Sequence, residues 1–110
     1  MKKYTFYDNV FDVVRLIPEG RVTTYGSIAK YLGMMKSARM VGWALNSTIN
    51  KNLELPVHRV INRNGILTGK NHFSSPFKMK KLLEKEGVVI QNDQVINFNE
   101  VYWDPTQELL

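Results

Sequence analysis

The chain has 110 residues, 44% hydrophobic and 23% charged, which fits one ordinary globular domain with a small core. It contains no cysteine, which excludes disulfides, thiolate zinc sites and a cysteine nucleophile together, and its two histidines, His58 and His72, are a poor basis for a metal site; no metal or cofactor is expected. Net charge is +5, unevenly placed: residues 1–85 hold all 15 Lys and Arg with five of the ten acids, and the rest of the chain holds five acids and no base. A basic body with an acidic tail fits either a solvated surface or a polyanionic partner held by the body.

The first residues, Met1-Lys2-Lys3-Tyr4, lead into Asp8 and Asp12 rather than an apolar signal core. No run approaches the roughly 18 apolar residues of a membrane span, so a chain that stays in the compartment where it is made is expected. Tyr7, Val10, Phe11, Val14 and Ile17 recur at helical spacing and predict an amphipathic helix, closed by Pro18-Glu19-Gly20. Arg21-Val22-Thr23 reads as a short extended piece. Thr24 is a candidate N-cap for a helix to about Leu32, with Ile28, Ala29 and Leu32 on one face, ended by Gly33. Ser37 is a second candidate cap, opening a helix that carries Met40, Val41, Ala44 and Leu45.

Two short helices joined by a glycine-containing turn predict a helix-turn-helix over about 24–48. From Leu53 to Gly69 the chain reads as loop and short strand, punctuated by Pro56, Asn64-Gly65 and Gly69. Phe77, Lys80, Lys81, Leu82 and Glu84 fit a further helix ended by Gly87. Val88-Val89-Ile90 and Val95-Ile96 are short extended segments, and Val101-Tyr102-Trp103-Asp104-Pro105 reads as part of an acidic strap over 98–110. No repeat or low-complexity tract interrupts this order. The expected fold is mainly α with short β segments, a single winged helix-turn-helix-like domain over 1–110.

Three segments in order carry a family likeness: Gly20-Arg21-Val22-Thr23-Thr24-Tyr25-Gly26-Ser27-Ile28-Ala29, Ser37-Ala38-Arg39-Met40-Val41-Gly42-Trp43-Ala44-Leu45, and Pro56-Val57-His58-Arg59-Val60-Ile61 through Gly65. Together they resemble the DNA-binding domain of O6-alkylguanine-DNA alkyltransferases, and the likeness runs on through Leu82-Leu83-Glu84-Lys85-Glu86-Gly87. In active members the third motif is Pro-Cys-His-Arg, whose cysteine accepts the alkyl group as a thiolate. The matching residue here is Val57, in a Pro-Val-His-Arg motif at 56–59, and a valine side chain offers no lone pair. The chain is similar to the alkyltransferase-like branch, which also lacks the cysteine but usually carries tryptophan there; Val57 departs from that.

The resemblance implies non-enzymatic recognition of O6-alkylguanine in duplex DNA, by minor-groove binding and base flipping, flagging damage for nucleotide excision repair proteins. A base inside a duplex hides its O6 substituent in the stack, so reading it requires extrusion. Matching positions give Tyr25 as the group that crowds the target phosphate and Arg39 as the finger that fills the vacated stack. Thr24, Ala38, Gly42 and Asn46 are the other DNA-binding candidates, Ala38 and Gly42 being small enough for a close backbone approach. Tyr25, Val57, Phe73 and Ser74 are the candidates for the alkylguanine pocket, while Lys70 and His72 read as ordinary loop residues. His58 and Glu86 are expected as a relict pair, joined by a structural hydrogen bond. Trp43 and Trp103 are expected in the core. A monomer is expected, with the nucleoid in a bacterial cytoplasm or in a eukaryotic nucleus.

Two other functions compete. A helix-turn-helix regulator reading undamaged sequence would need several base-reading side chains, and the second helix offers only Arg39 and Asn46. An alkyltransferase using another nucleophile, such as His58, is the third reading.

Overall fold

The computed structural model describes residues 5–33, 37–48 and 54–109; the basic start Met1-Lys2-Lys3-Tyr4, the turn at 34–36, Leu53 at the head of the loop segment, and Leu110 at the end of the strap lie outside the described residues. Helix α1 (Phe6–Arg15) is opened by a reciprocal cap: the Asp8 N–H donates to Thr5 Oγ1 at 3.2 Å, and the Thr5 N–H donates to the Asp8 carboxylate at 2.9 Å. Its apolar stripe buries Val10, Val13 and Val14, and Ile17 follows in the turn beyond the helix. Full burial of each such side chain contributes about 1.5–3 kcal/mol.

Strand β1 (Thr23–Thr24) leads directly into helix α2 (Tyr25–Tyr31). Thr24 caps it as the sequence predicts, with Oγ1 accepting from the Ser27 N–H at 3.0 Å, and Gly33 ends it at φ +78°, a conformation that favours glycine. Helix α3 (Ala38–Asn46) follows, packed against both α1 and α2. Ser37 stands at its N-cap, but no side-chain bond is made there. One face of α3 buries Val41, Ala44 and Leu45 in a cluster with Val14, Ile28 and Trp103. That leaves the opposite face free for other work.

After a 3-10 turn at Val57–Arg59, strand β2 (Val60–Ile61) pairs in parallel with β1, Thr23 beside Val60 and Thr24 beside Ile61. This pairing fixes the Pro-Val-His-Arg segment relative to the start of α2. A second 3-10 segment, Thr68–His72, precedes helix α4 (Lys78–Lys85), which starts one residue after Phe77 and leaves that ring exposed. Strands β3 (Ile90–Gln91) and β4 (Gln94–Val95) form a hairpin. Asn92 and Asp93 turn it with φ of 53° and 60°, both positive as a two-residue turn of this hand requires. These elements enclose a second cluster of Val22, Ile61, Leu67, Met79, Leu83 and Val95.

The chain's last described stretch contains two helical turns, α5 (Phe98–Val101) and α6 (Pro105–Glu108). The Val22 N–H donates to the Val101 carbonyl at 2.9 Å, and the Trp103 N–H donates to the Val22 carbonyl at 2.7 Å. Arg21 adds bonds from its guanidinium to the Val101 and Tyr102 carbonyls. Trp103 is buried in the first cluster, as expected. The fold is mainly helical with short strands, as the sequence predicts. No described helix is long and apolar enough to cross a membrane.

Candidate nucleic-acid interface

The free face of α3 forms one wall of a concavity of about 420 Å³, lined by Ala38, Arg39, Gly42, Trp43 and Asn46. These positions follow helical spacing opposite the buried Val41, Ala44 and Leu45. The other walls are Tyr25, from the first turn of α2, and Thr68, Gly69 and His72 from the second 3-10 segment. Five of the predicted site residues (Tyr25, Ala38, Arg39, Gly42 and Asn46) are thus brought together in one place.

Tyr25 joins the two sides. A Cβ built on Gly42 would lie 3.9 Å from the Tyr25 ring, and one on Gly69 would lie 3.0 Å from the Tyr25 hydroxyl. The first is ordinary van der Waals contact, whereas the second is tight enough that the Tyr25 side chain would have to shift. Burial raises the Tyr25 phenol above its ordinary value, with hydrogen bonding to the Thr68 side chain acting the other way. Tyr25 therefore remains a neutral hydroxyl through the physiological range. Arg39, by contrast, is exposed, and among the described residues it has no ion-pair partner.

One expectation is corrected, and several site candidates lie apart from the concavity. Trp43, expected in the core, is 54% exposed and stands on the concavity wall one turn beyond Arg39. The signal that would have found it is spacing: 39, 43 and 46 share a face, and the core positions 41, 44 and 45 lie on the other. Thr24, expected among the DNA-binding residues, is buried, and its hydroxyl is used to cap α2 and bond Ser27 Oγ at 2.7 Å. It serves the site through the helix it caps. Ser27 Oγ bonds in turn to the Tyr102 hydroxyl at 2.5 Å, tying the start of α2 to the strap.

The other pocket candidates lie elsewhere. Val57, Phe73 and Ser74 do not line this concavity. Val57 is half-buried against the first cluster, where Tyr25 also packs, while Phe73 packs against the second. Ser74 lines a separate groove with Ser75, Lys78, Lys81 and Lys85. Of the two loop residues, Lys70 is held in an ion pair with Asp93, and His72 lines the concavity.

His58 and Glu86 do meet. Glu86 Oε2 accepts from His58 Nε2 at 2.8 Å and from Arg59 Nη2 at 2.8 Å, and Oε1 accepts from the Gly20 N–H and Arg59 Nε, both at 3.0 Å. Arg59 Nη1 donates to the Ile17 carbonyl at 2.9 Å. Gly20 holds φ +82°, and a Cβ there would lie 3.2 Å from the Glu86 carbonyl oxygen, so glycine is required at this closure. Burial pushes the Glu86 carboxyl up, but the bonds from Arg59, the Gly20 N–H and His58 outweigh it and hold the group at about 2. Burial pushes the His58 imidazole below its ordinary value, against the upward pull of Glu86. An ionised Glu86 can only accept, so neutral His58 carries its proton on Nε2. This network fastens the turn after α1 to the Val57–Arg59 segment and the end of α4. Among the described residues, no group of three or more His, Cys, Asp or Glu is placed to hold a metal.

Comparison with known proteins places this geometry. Residues 5–88 match the family model of the 6-O-methylguanine DNA methyltransferase DNA-binding domain. Alkyltransferase-like protein 1 of Schizosaccharomyces pombe is 38% identical over 109 residues, covering 96% of this chain and all of that protein. A DNA base-flipping protein of Escherichia coli is 36% identical over 105 residues, covering 94% of this chain and 78% of that one. The structure of S. pombe Atl1 in complex with damaged DNA containing O6-carboxymethylguanine superposes with a TM-score of 0.80 at 38% identity, covering 96% of this chain and 100% of that one. Mycobacterium tuberculosis OGT in complex with DNA gives 0.66 at 34% identity, covering 77% of this chain and 51% of that one. With a family model across most of its length, full-length relatives and no cysteine of its own, the chain belongs to the 6-O-methylguanine DNA methyltransferase DNA-binding domain family, in its alkyltransferase-like branch.

Proposed function

We propose that this protein recognises O6-alkylguanine lesions in duplex DNA without repairing them, turning the damaged base out of the stack from the minor groove and marking it for other repair proteins. The observation that carries the reading is the exposed Arg39 at the start of α3, without an ion-pair partner among the described residues and set beside Tyr25 on one concavity, in a chain with no cysteine.

Extruding a base costs a few kcal/mol of stacking and pairing, least where pairing is already weakened by damage. Arg39 offsets that cost by sliding its planar guanidinium into the gap. Tyr25, fixed between Gly42 and Gly69, crowds the target phosphate from a rigid position. Ala38 and Gly42 keep the α3 backbone low enough to enter the groove, and Asn46 offers an amide at the far end of that face. Val57 stands at the position where active relatives carry their nucleophile, so nothing there accepts the alkyl group. The basic body supplies attraction to phosphates. Nucleotide excision repair proteins are the expected downstream partners, met by a monomer in the nucleoid or nucleus.

The deciding experiment compares dissociation constants for two duplexes that differ only by O6-methylguanine in place of guanine, at matched salt. Tighter binding to the modified duplex supports the reading. Equal constants overturn it and leave a general DNA-binding helix-turn-helix.

A further inference from the structure

Among the described residues, the exposed indole of Trp43 packs against neither apolar cluster. Helix α3 fills its core face with Val41, Ala44 and Leu45, and among the described residues Trp43 stacks on no other ring. At 54% exposure it leaves a large apolar area in water, at the wall of the concavity that holds Arg39. Other exposed apolar side chains, such as Leu16, Phe77 and Ile96, do not line this concavity. Beside Trp43 stands Gly42, and a turn before it stands the Arg39 cation.

We propose that Trp43 is an aromatic anchor for duplex DNA, its ring lying against the deoxyribose walls of the groove that α3 enters. The inference rests on the reading of α3 as the DNA-contacting helix and adds a contact of a different kind. Arg39 and the basic body act on charge and weaken as salt rises. Sugar walls are apolar, and an indole placed on them gains affinity by losing water, which salt does not screen. Minor-groove proteins also place apolar side chains on DNA, there as wedges between base steps. A tryptophan is suited to it, because a large rigid ring is immobilised at the cost of only two side-chain torsions. DNA is favoured over a protein partner by continuity with the Arg39 face and by the net positive charge of residues 1–85.

The chain reports on this contact itself. It has two tryptophans, and Trp103 is 4% exposed in the core, so a change in indole emission on adding DNA belongs to Trp43. Intact protein is titrated with labelled duplexes, with and without O6-methylguanine, reading DNA anisotropy, tryptophan emission and protection from acrylamide together. The expected result is a shifted, protected emission that saturates with the same dissociation constant as the anisotropy. Trp43→Ala is expected to weaken binding about tenfold, the scale of losing one aromatic contact to nucleic acid. Trp43→Phe should recover most of the loss, and neither variant should change the slope of log Kd against log salt, whereas Arg39→Gln should flatten it. Anisotropy that reports binding while the emission stays unchanged and unprotected overturns the anchor and leaves the proposed function standing. No binding by the intact protein to either duplex overturns both. A flattened salt slope in Trp43→Ala overturns the sugar contact in favour of an electrostatic or folding effect; should that variant fail to fold, the emission of the intact protein decides.

Discussion

The His58 Nε2 and Glu86 Oε2 atoms lie 2.8 Å apart, and the same carboxylate is gripped by Arg59 and the Gly20 N–H. A carboxylate with four such donors is a structural fastener. It joins the turn after α1, the Val57–Arg59 segment and the end of α4, elements that the sequence separates by more than sixty residues. The chain has no thiol for this pair to activate; what the network does is hold the Pro-Val-His-Arg segment against the turn after α1 and the end of α4.

The first prediction follows from the sign of the Glu86 shift. Its folded value is about 2, below the ordinary carboxylate, so the stabilisation is complete above the unfolded value and drains as pH falls towards 2. His58 is also lowered, so the unfolded state takes its proton first and stability begins to fall below the ordinary imidazole value. Urea unfolding against pH should show both losses on the acid side, about 3 kcal/mol of it from Glu86. Glu86→Gln should destabilise the protein at neutral pH by a similar amount and remove the lower part of the acid dependence. A variant with the parent's acid profile would show that the network does not hold the fold.

The expected lack of alkyl transfer is testable directly. After incubation with DNA carrying a labelled O6-methyl group, the label should remain on the DNA and the protein mass should be unchanged. His58 is the side chain to watch, because a neutral imidazole can act as a nucleophile through the nitrogen that does not bond Glu86. A methyl adduct there would restore the enzyme reading.

Arg39→Ala should cost about 1–3 kcal/mol of lesion binding by removing the group that fills the stack. Tyr25→Ala should impair extrusion more than general attraction to DNA, and a fluorescent base analogue beside the lesion reports the difference. If both variants extrude the base as the parent does, those two roles are wrong.

Much of this arrangement was legible in the sequence where one local signal decided the outcome. The apolar stripe of Val10, Val14 and Ile17, the Thr24 cap, and Gly33 as a terminator all act within a turn of helix. Trp43 is harder to place, because a tryptophan is usually buried while its spacing sets it with Arg39, and here the spacing decides. Residues 68–72 as a wall, and Phe73 on the second cluster, depend on the packing of distant segments, which no local pattern encodes. Thr24 shows a subtler gap: the same hydroxyl suits a cap or a phosphate, and only the fold decides which.

Gly42 offers a prediction with opposite signs for stability and binding. A Cβ there meets only the Tyr25 ring at 3.9 Å, so Gly42→Ala fits without strain. Replacing a mid-helix glycine should raise stability, by up to about 1 kcal/mol. The added methyl, however, stands on the face that must approach the groove, and DNA affinity should fall. Thermal melting and anisotropy on one preparation check both signs; unchanged affinity would show that α3 does not come close to DNA at this point. Gly69→Ala is the companion, since its Cβ would meet the Tyr25 hydroxyl at 3.0 Å and displace that side chain.

The last prediction concerns Val57, which the resemblance sets at the nucleophile position but which lies half-buried against the first cluster and outside the concavity. If the flipped base reaches this position, a small valine leaves room beside it, and adducts of different size should bind with only modest discrimination. Val57→Trp would then fill that room and sharpen affinity for small adducts by adding apolar area and stacking. The structure adds a condition, because a larger ring packed into the first cluster costs about 1–3 kcal/mol of stability. Stability and affinity must therefore be measured together. The informative series is the dissociation constant for methyl, hydroxyethyl and benzyl adducts, in both forms, at a temperature where both remain folded. A flat profile for the parent and a graded one for Val57→Trp would put position 57 against the lesion. Matching profiles would put the alkyl group elsewhere, with the concavity between Tyr25, Gly69 and His72 as the next site to probe.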